Sequence, residues 1–420
     1  MPDQPVADSP ATKGQPHTPA VPVRTLLAIN GGSSSIKFAL FELAEEPRRW
    51  LSGNIDRIGM ADGNLKASDQ RTNEKTDVPL TAHDHAHAVE QLIAWLGSRL
   101  DIASLAAIGH RIVHGGPNLV EPCRIDDAVL EELRRLSPFD PEHLPGEIDL
   151  VEAFRKATPQ VPQVACFDTA FHRHLPAEAR LLAIPRKYAE QGIRRYGFHG
   201  LSYAFLMEEL GRLDPAAAQG RVVLAHLGNG ASMAAVSGGK CVDTTMAFTP
   251  TAGLVMGTRS GDFDPGLVLY LARQEKLSFD QFHEMVNRRS GLLGLSETSS
   301  DMRDLLARRA GDSRAAEAVA VFCYHVRKTI GAFAAALGGI DCLVFSGGIG
   351  ENAHEVRAMI CQGLDFLGIA LDRRRNETSQ PVISADESRV PVRVMHTDEE
   401  LMIAKLVRER NGLDSQPAFD

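Results

Sequence analysis

The sequence predicts an α/β protein of two related domains, and three observations lead there. Short apolar runs alternate with stretches of helical periodicity. Two segments, "LLAINGGSSSIKFAL" from Leu26 and "VVLAHLGNGASMAAV" from Val222, share one plan: apolar strand, glycine-rich corner with serine, second apolar strand. At 420 residues the chain is also too long for one ordinary core. A third apolar run, "CLVFSGGIGENA", ends in another glycine-rich corner but continues into a helical pattern. One such corner alone reads as a tight hairpin. Three of them, each after an apolar strand, point to a duplicated unit.

The elements follow in order. Residues 1–23 carry six prolines among polar spacers and no hydrophobic segment, so they read as a disordered tail and not as a signal peptide. Residues 24–30 read as a buried strand and residues 35–43 as the strand returning from the turn. Val89, Leu92, Ile93, Leu96 and Leu100 stand at helical spacing and predict an amphipathic helix. Leu130, Leu133 and Leu136 predict a shorter one, ended by Pro138. Residues 137–146 hold three prolines and read as a structured loop. Residues 164–167, 222–227 and 342–345 are short apolar strands. Residues 315–337 are apolar nearly all round and stop at Gly338-Gly339, the pattern of a buried helix with a glycine C-cap.

Composition narrows the function. A net charge of -9 disfavours a nucleic-acid partner or a membrane surface. No apolar run approaches the roughly 20 residues of a membrane helix. The six cysteines (Cys123, Cys166, Cys241, Cys323, Cys342, Cys361) are scattered singly, without CxxC or metal-ligand spacing. They read as reduced, buried thiols of a cytoplasmic protein.

The first corner carries the chemistry. Glycines let the backbone approach a ligand, and successive N–H groups with hydroxyls cradle an anion. Neither GxxxxGK[ST] nor GxGxxG is present, and both need a helix next, whereas Ile36, Phe38 and Leu40 alternate like a strand. A phosphate held in a hairpin turn points to the actin, sugar-kinase and chaperone-ATPase architecture, in which two ribonuclease-H-like domains clamp ATP in a central cleft.

The blocks "NGGSSSIKF", "GHRIVHGG", "CFDTAFH", "RRYGFHG", "AHLGNGAS", "MGTRSGDFDPG", "SSDMRDL", "FSGGIGENA" and "TDEELMIA" occur in this order. In these the chain resembles the acetate kinases, from about Arg24 to the region of Arg408. The resemblance implies reversible Mg²⁺-dependent transfer of the ATP γ-phosphoryl group to acetate, giving acetyl phosphate and ADP by direct in-line transfer, with Mn²⁺ as a substitute metal. It also implies a homodimer. The domains would be residues 24–168, completed by a C-terminal helix over about 399–420, and residues 169–398, which bind nucleotide. A homodimer is compatible with the apolar stretch 315–337, which reads equally as a core helix.

A carboxylate nucleophile is already ionised at pH 7, so the difficulty is bringing anion to anion, and cations and positioned donors are needed. The resemblance assigns Arg111 to the acid's carboxylate and Arg259 to the transferring phosphoryl; a planar, permanently charged fork suits both. His199 matches a second phosphoryl stabiliser and His143 a further active-site histidine, although its flanks depart from the family's Leu-His-Asn-Pro. Asp168 matches the catalytic aspartate. With an ionised nucleophile it is better read as orienting Arg111 or holding Mg²⁺ through water. Asn30 and Glu399 match the metal contacts, with Glu400 the adjacent alternative; Mg²⁺ keeps several waters and needs few protein oxygens. Ser33, Ser35 and Lys37 match the phosphate side, and the corner His226, Leu227, Gly228, Asn229 and Gly230 adds donors. Asp301, Met302 and Arg303, with Gly348, Ile349, Gly350, Glu351 and Asn352, match the adenosine side. Val113, Phe198 and Pro250 match the wall around the acid's methyl group. A fourth wall residue, usually Leu, falls at Glu142, so either the loop is displaced or another residue closes the pocket. Propionate or butyrate are alternative acids, and a non-kinase ATPase clamp is the distant alternative.

Overall fold

The computed structural model describes residues 24–32, 35–60 and 62–410. The proline-rich tail, Ser33 of the first corner and residues 411–420 lie outside the described residues. β1 (Thr25–Gly31) and β2 (Ser35–Glu42) form the expected antiparallel hairpin, with Asn30 opposite Lys37. β3 (Arg48–Asp56), β4 (Asn64–Asp69) and β5 (Lys75–Pro79) extend the meander. β6 (Ala107–Ile112) lies parallel to β1, followed by the two-residue β7 (Cys123–Arg124) and by β8 (Gln163–Phe167), parallel to β6. The sheet order is β5-β4-β3-β2-β1-β6-β8-β7.

A second sheet repeats this plan. β9 (Arg221–Leu227), β10 (Ala231–Ser237) and β11 (Lys240–Thr244) are antiparallel neighbours. β12 (Cys342–Ser346) lies parallel to β9, and β13 (Val392–Val394) parallel to β12. The order β11-β10-β9-β12-β13 matches β3-β2-β1-β6-β8 strand for strand. This is the duplicated ribonuclease-H-like architecture that the matched corners predicted.

Amphipathic helices cover the sheets. Helices His85–Gly97 and Leu144–Ala157 bury Leu92, Leu96, Leu150 and Phe154 against Leu27, Ile29 and Leu40. On the opposite face Ile403 and Val407 of helix Glu399–Arg410 pack on Leu26, Ala28 and Ala107, so the last helix returns to the first sheet. Helix Gly200–Leu213 is the wedge between sheets: Leu201 and Phe205 join the first, and Tyr203, Leu206 and Leu210 join the second. Burying one such side chain fully contributes about 1.5–3 kcal/mol.

Local signals set the helix ends. Asp126 caps helix Asp127–Leu136 by accepting the Val129 N–H, and the helix stops before Pro138. Helix Ser313–Leu337 begins at the Asp312 cap and ends where Gly338 adopts φ 71°, the left-handed C-cap expected there. Only one side of it is core, for Tyr324 is exposed. The proline-rich stretch 137–146 is not all loop: a 3₁₀ turn, Ser137–Phe139, precedes a helix starting at Leu144, because Pro145 falls in a first turn that needs no N–H from it. All six cysteines are free; five are buried and Cys123 is half-buried. No helix among the described residues is long and apolar enough to cross a membrane.

Candidate active site

Arg111 leaves the end of β6 into the space between the sheets. Its Nε and Nη2 donate to Asp168 Oδ2 at 3.0 and 2.6 Å, and Nη1 donates to the Gly31 carbonyl at 3.1 Å. A guanidinium has five N–H bonds. Three are spent, leaving one on each terminal nitrogen, the pair that grips a carboxylate by two bonds. Burial opposes the charge, but Asp168, Glu147 and Glu399 outweigh it and hold the Arg111 pKa above its ordinary value. Asp168 is fully buried, with Oδ1 free of any hydrogen-bond partner.

The opposing wall comes from the second half. His199, at the N-cap of helix Gly200–Leu213, has φ 58°, a conformation that costs a side-chain-bearing residue on the order of 1 kcal/mol. Its Nδ1 lies 2.8 Å from Ser232 Oγ, which also bonds to the Tyr203 hydroxyl, and its ring stacks on His226 at 4.5 Å. Burial, then His226, Arg259 and Arg111, hold its pKa well below the usual value, so the imidazole is neutral. Arg259 donates from Nη1 to the Pro250 carbonyl at 2.8 Å. Burial lowers its pKa, Asp140 opposes this, and Arg111 adds to it. The corner Gly228–Gly230 is where these groups meet. A Cβ at Gly230 would lie 2.9 Å from Arg259 Nη2 and 3.4 Å from His199 Nε2, so an added methyl would displace the end of the Arg259 side chain.

Asn30 Nδ2 donates to Glu399 Oε2 at 2.9 Å and to Glu400 Oε1 at 3.0 Å. Burial and then Asp168 raise the Glu399 pKa, against Arg111 and Lys37. Burial and Glu399 raise that of Glu400. Lys37, exposed on β2 opposite Asn30, is near enough to act on both carboxylates and on His226. Among the described residues no three His, Cys, Asp or Glu side chains converge as a full metal cage. The donor set does fit Mg²⁺, which is satisfied by one or two protein oxygens: a buried carboxylate, crowded by Asp168, beside an amide.

A cavity of about 650 Å³ continues from the corner, lined by Gly228, Asn229, Asp301, Met302, Arg303, Gly348, Ile349 and Asn352 among others. Asp301 pairs with Arg303 at its rim. Leu227 is buried at the end of β9, and Ser35 opens β2, its carbonyl accepting the Gly32 N–H. Two of the residues expected on the adenosine side do not line this cavity. Gly350 packs under β12, and Glu351 accepts the Gly347 N–H at 2.9 Å and pairs with His396. Arg357, fully buried, fixes this segment with hydrogen bonds to Gly350 O, Glu351 O, Asn376 Oδ1, Asn376 O and Ser379 Oγ, all 2.8–2.9 Å.

Val113 and Phe198 are buried in one apolar cluster, and Pro250 is buried beside Arg259. Glu142 does not line this wall: it reaches across to His283 and Arg288 of helix Phe279–Arg288, at 3.2 and 2.7 Å. His143 Nδ1 bonds to the buried Asp140 at 2.9 Å. Sequence reasoning missed Asp140 and Glu147. The spacing Leu144, Ile148, Val151 puts Glu147 on the buried stripe, and that signal was available.

Two sheets of one strand order, with a cleft lined by arginines, histidines and glycine corners, define an α/β kinase. Residues 25–405 match the Acetokinase family, and the chain belongs to it. It is 43% identical over 396 residues to an acetate kinase of Methylocella silvestris, covering 91% of this chain and 96% of that one. It is also 43% identical to a propionate kinase of Citrobacter rodentium, covering 90% and 95%. The crystal structure of a propionate kinase from Francisella tularensis matches with TM-score 0.86 at 35% identity, covering 91% of this chain and 98% of that one.

Proposed function

We propose that this kinase transfers the γ-phosphoryl group of ATP directly, in line, to the carboxylate of acetate, forming acetyl phosphate and ADP, and runs the reverse reaction. The observation that carries this reading is the pair of unspent N–H bonds on Arg111, held by Asp168 and Gly31 beside Val113. Asp168 then orients Arg111 and has no need to act as a base. Tyr203 Oη, Ser232 Oγ and His199 Nδ1 form one hydrogen-bonded chain; with Ser232 assigned as the donor to Nδ1, the His199 proton is left on Nε2 for the phosphoryl oxygens. Arg259 faces the same oxygens, and Lys37, His226 and the Gly228–Gly230 backbone hold the phosphate chain. Asn30 and Glu399 would hold Mg²⁺, which supplies charge neutralisation between phosphate oxygens. The cavity beyond takes the nucleoside.

Trapping with hydroxylamine tests the reaction: acyl hydroxamate should accumulate with ATP and a short acid, and ATP hydrolysis without it would favour the ATPase clamp. The acid's length is decided by relative kcat/KM for acetate, propionate and butyrate, since one methylene in an apolar pocket is worth about 1–3 kcal/mol. We divide the chain into two domains near Asp168, with the last helix belonging to the first. The exposed apolar side chains Tyr270 (61%) and Phe279 (82%), and helix Gly266–Gln274 with no buried residue, offer a face for a second copy, so we infer a homodimer. Six free thiols suit a reducing cytoplasm.

A further inference from the structure

Glu147 stands at the acid end of the cleft, outside the transfer described above. Its helix turns Leu144, Ile148 and Val151 into the core and carries Glu147 inward with them, 4% exposed. Oε2 accepts the Val113 N–H at 2.9 Å, fixing the carboxyl beside the proposed methyl wall. Oε1 is buried without a hydrogen-bond partner, 3.7 Å from Arg111 Nη1. An ionised oxygen buried in this way is costly, so the position calls for a proton or a partner.

We propose that Glu147 takes up a proton when the acid substrate binds and donates it from Oε1 toward the carboxylate held by Arg111. The inference rests on the reading of Arg111 as the acid-binding group. A substrate oxygen on the unspent N–H of Nη1 shares that nitrogen with Oε1, and two carboxylates at one guanidinium do not both stay ionised cheaply. One proton enters from solvent on binding and returns on release, and no substrate bond is made or broken in this step. The charged and titratable groups facing Glu147 are Arg111 from β6, Asp140 and His143 from the turn before its helix, and, across Arg111, Asp168 and Glu399. His85 of helix His85–Gly97 lies against the neighbouring Gly146. Burial raises the free carboxyl to about 7, against Arg111, the Val113 N–H and His143 and with Asp140 adding to the rise, so the group is poised to respond.

The test is kcat/KM for acetate between about pH 6 and 9 at saturating Mg-ATP. The parent enzyme should lose up to about tenfold per pH unit above about 7. Glu147→Gln, whose amide keeps an acceptor for Val113 and a donor near the substrate, should be flat over that range with KM for ATP unchanged. An indicator dye in weak buffer should report most of a proton taken up per site when the parent binds acetate near pH 8. Equal slopes in parent and variant, or no uptake by the parent, overturn the proposal. The uptake measurement needs no variant, so a misfolded Glu147→Gln leaves it decisive. Failure to form acyl phosphate from any short acid would instead overturn the kinase reading of Arg111.

Discussion

Placing a single methyl group at Gly230 presses first on Arg259. The Cβ of Gly230→Ala would lie 2.9 Å from Arg259 Nη2, against the roughly 3.5–4.0 Å of an unstrained contact. The guanidinium must therefore retreat by about 0.6–1 Å, straining its 2.8 Å bond to the Pro250 carbonyl. Gly230 has no positive φ, so alanine fits the backbone, and the atom displaced is the far end of a flexible side chain. The stability cost is then about one net hydrogen bond, roughly 1 kcal/mol. The catalytic cost is larger, because a misplacement of about 1 Å lowers turnover about 100-fold, some 2.7 kcal/mol of barrier. Hydroxamate formation at saturating acetate and Mg-ATP measures kcat, and a urea melt gives the stability control. If Gly230→Ala keeps kcat within about threefold of the parent, Arg259 does not need the position assigned to it.

Further expectations can be checked on the same enzyme. Arg259→Ala should lower kcat by at least about 10³ while the chain stays folded; near-normal turnover would mean the wrong arginine was chosen. Arg357→Leu strips five acceptors of their donor and should lower unfolding free energy by at least about 3 kcal/mol; an unchanged urea midpoint would show that water replaces the side chain. Burial draws His110, His114, His172 and His226 down to about 4 from 6.5, and His199 well below its usual value. The unfolded chain binds these protons first, so stability falls as pH drops from 6.5 to 4, while Glu147, raised from 4.5 to about 7, offsets one of them between 7 and 4.5. Five imidazoles against one carboxyl leave a net loss on the order of 5 kcal/mol per pH unit below about 6, less what the raised Glu399 and Glu400 return. A urea midpoint as high at pH 5 as at pH 7 would contradict it.

Some of this was legible in the linear chain because its causes are local. The alternation through Ile36, Phe38 and Leu40, the corners at Gly31 and Gly228, and the stops at Pro138 and Gly338 each act over a few residues, and the structure follows them. Glu142 shows the limit. Register placed it at the acid's wall, but its partners His283 and Arg288 lie on a helix of the other half, and a guanidinium and an imidazole within hydrogen-bond reach outweigh a place beside an apolar pocket. Glu351 was placed with the nucleotide for its motif, yet the Gly347 N–H and His396 claim its carboxylate.

By itself the sequence determined the first hairpin, the repeated corner, the helix stops at Pro138 and Gly338 and the family, because periodicity, glycine and proline act over short spans. Tertiary structure alone decided that Arg111 meets Asp168 and Gly31, that Gly230 lies against Arg259 and His199, and that Glu147 stands buried beside Arg111. Charge and burial act through space, and residues far apart in the chain acquire their chemistry only when the two sheets face each other.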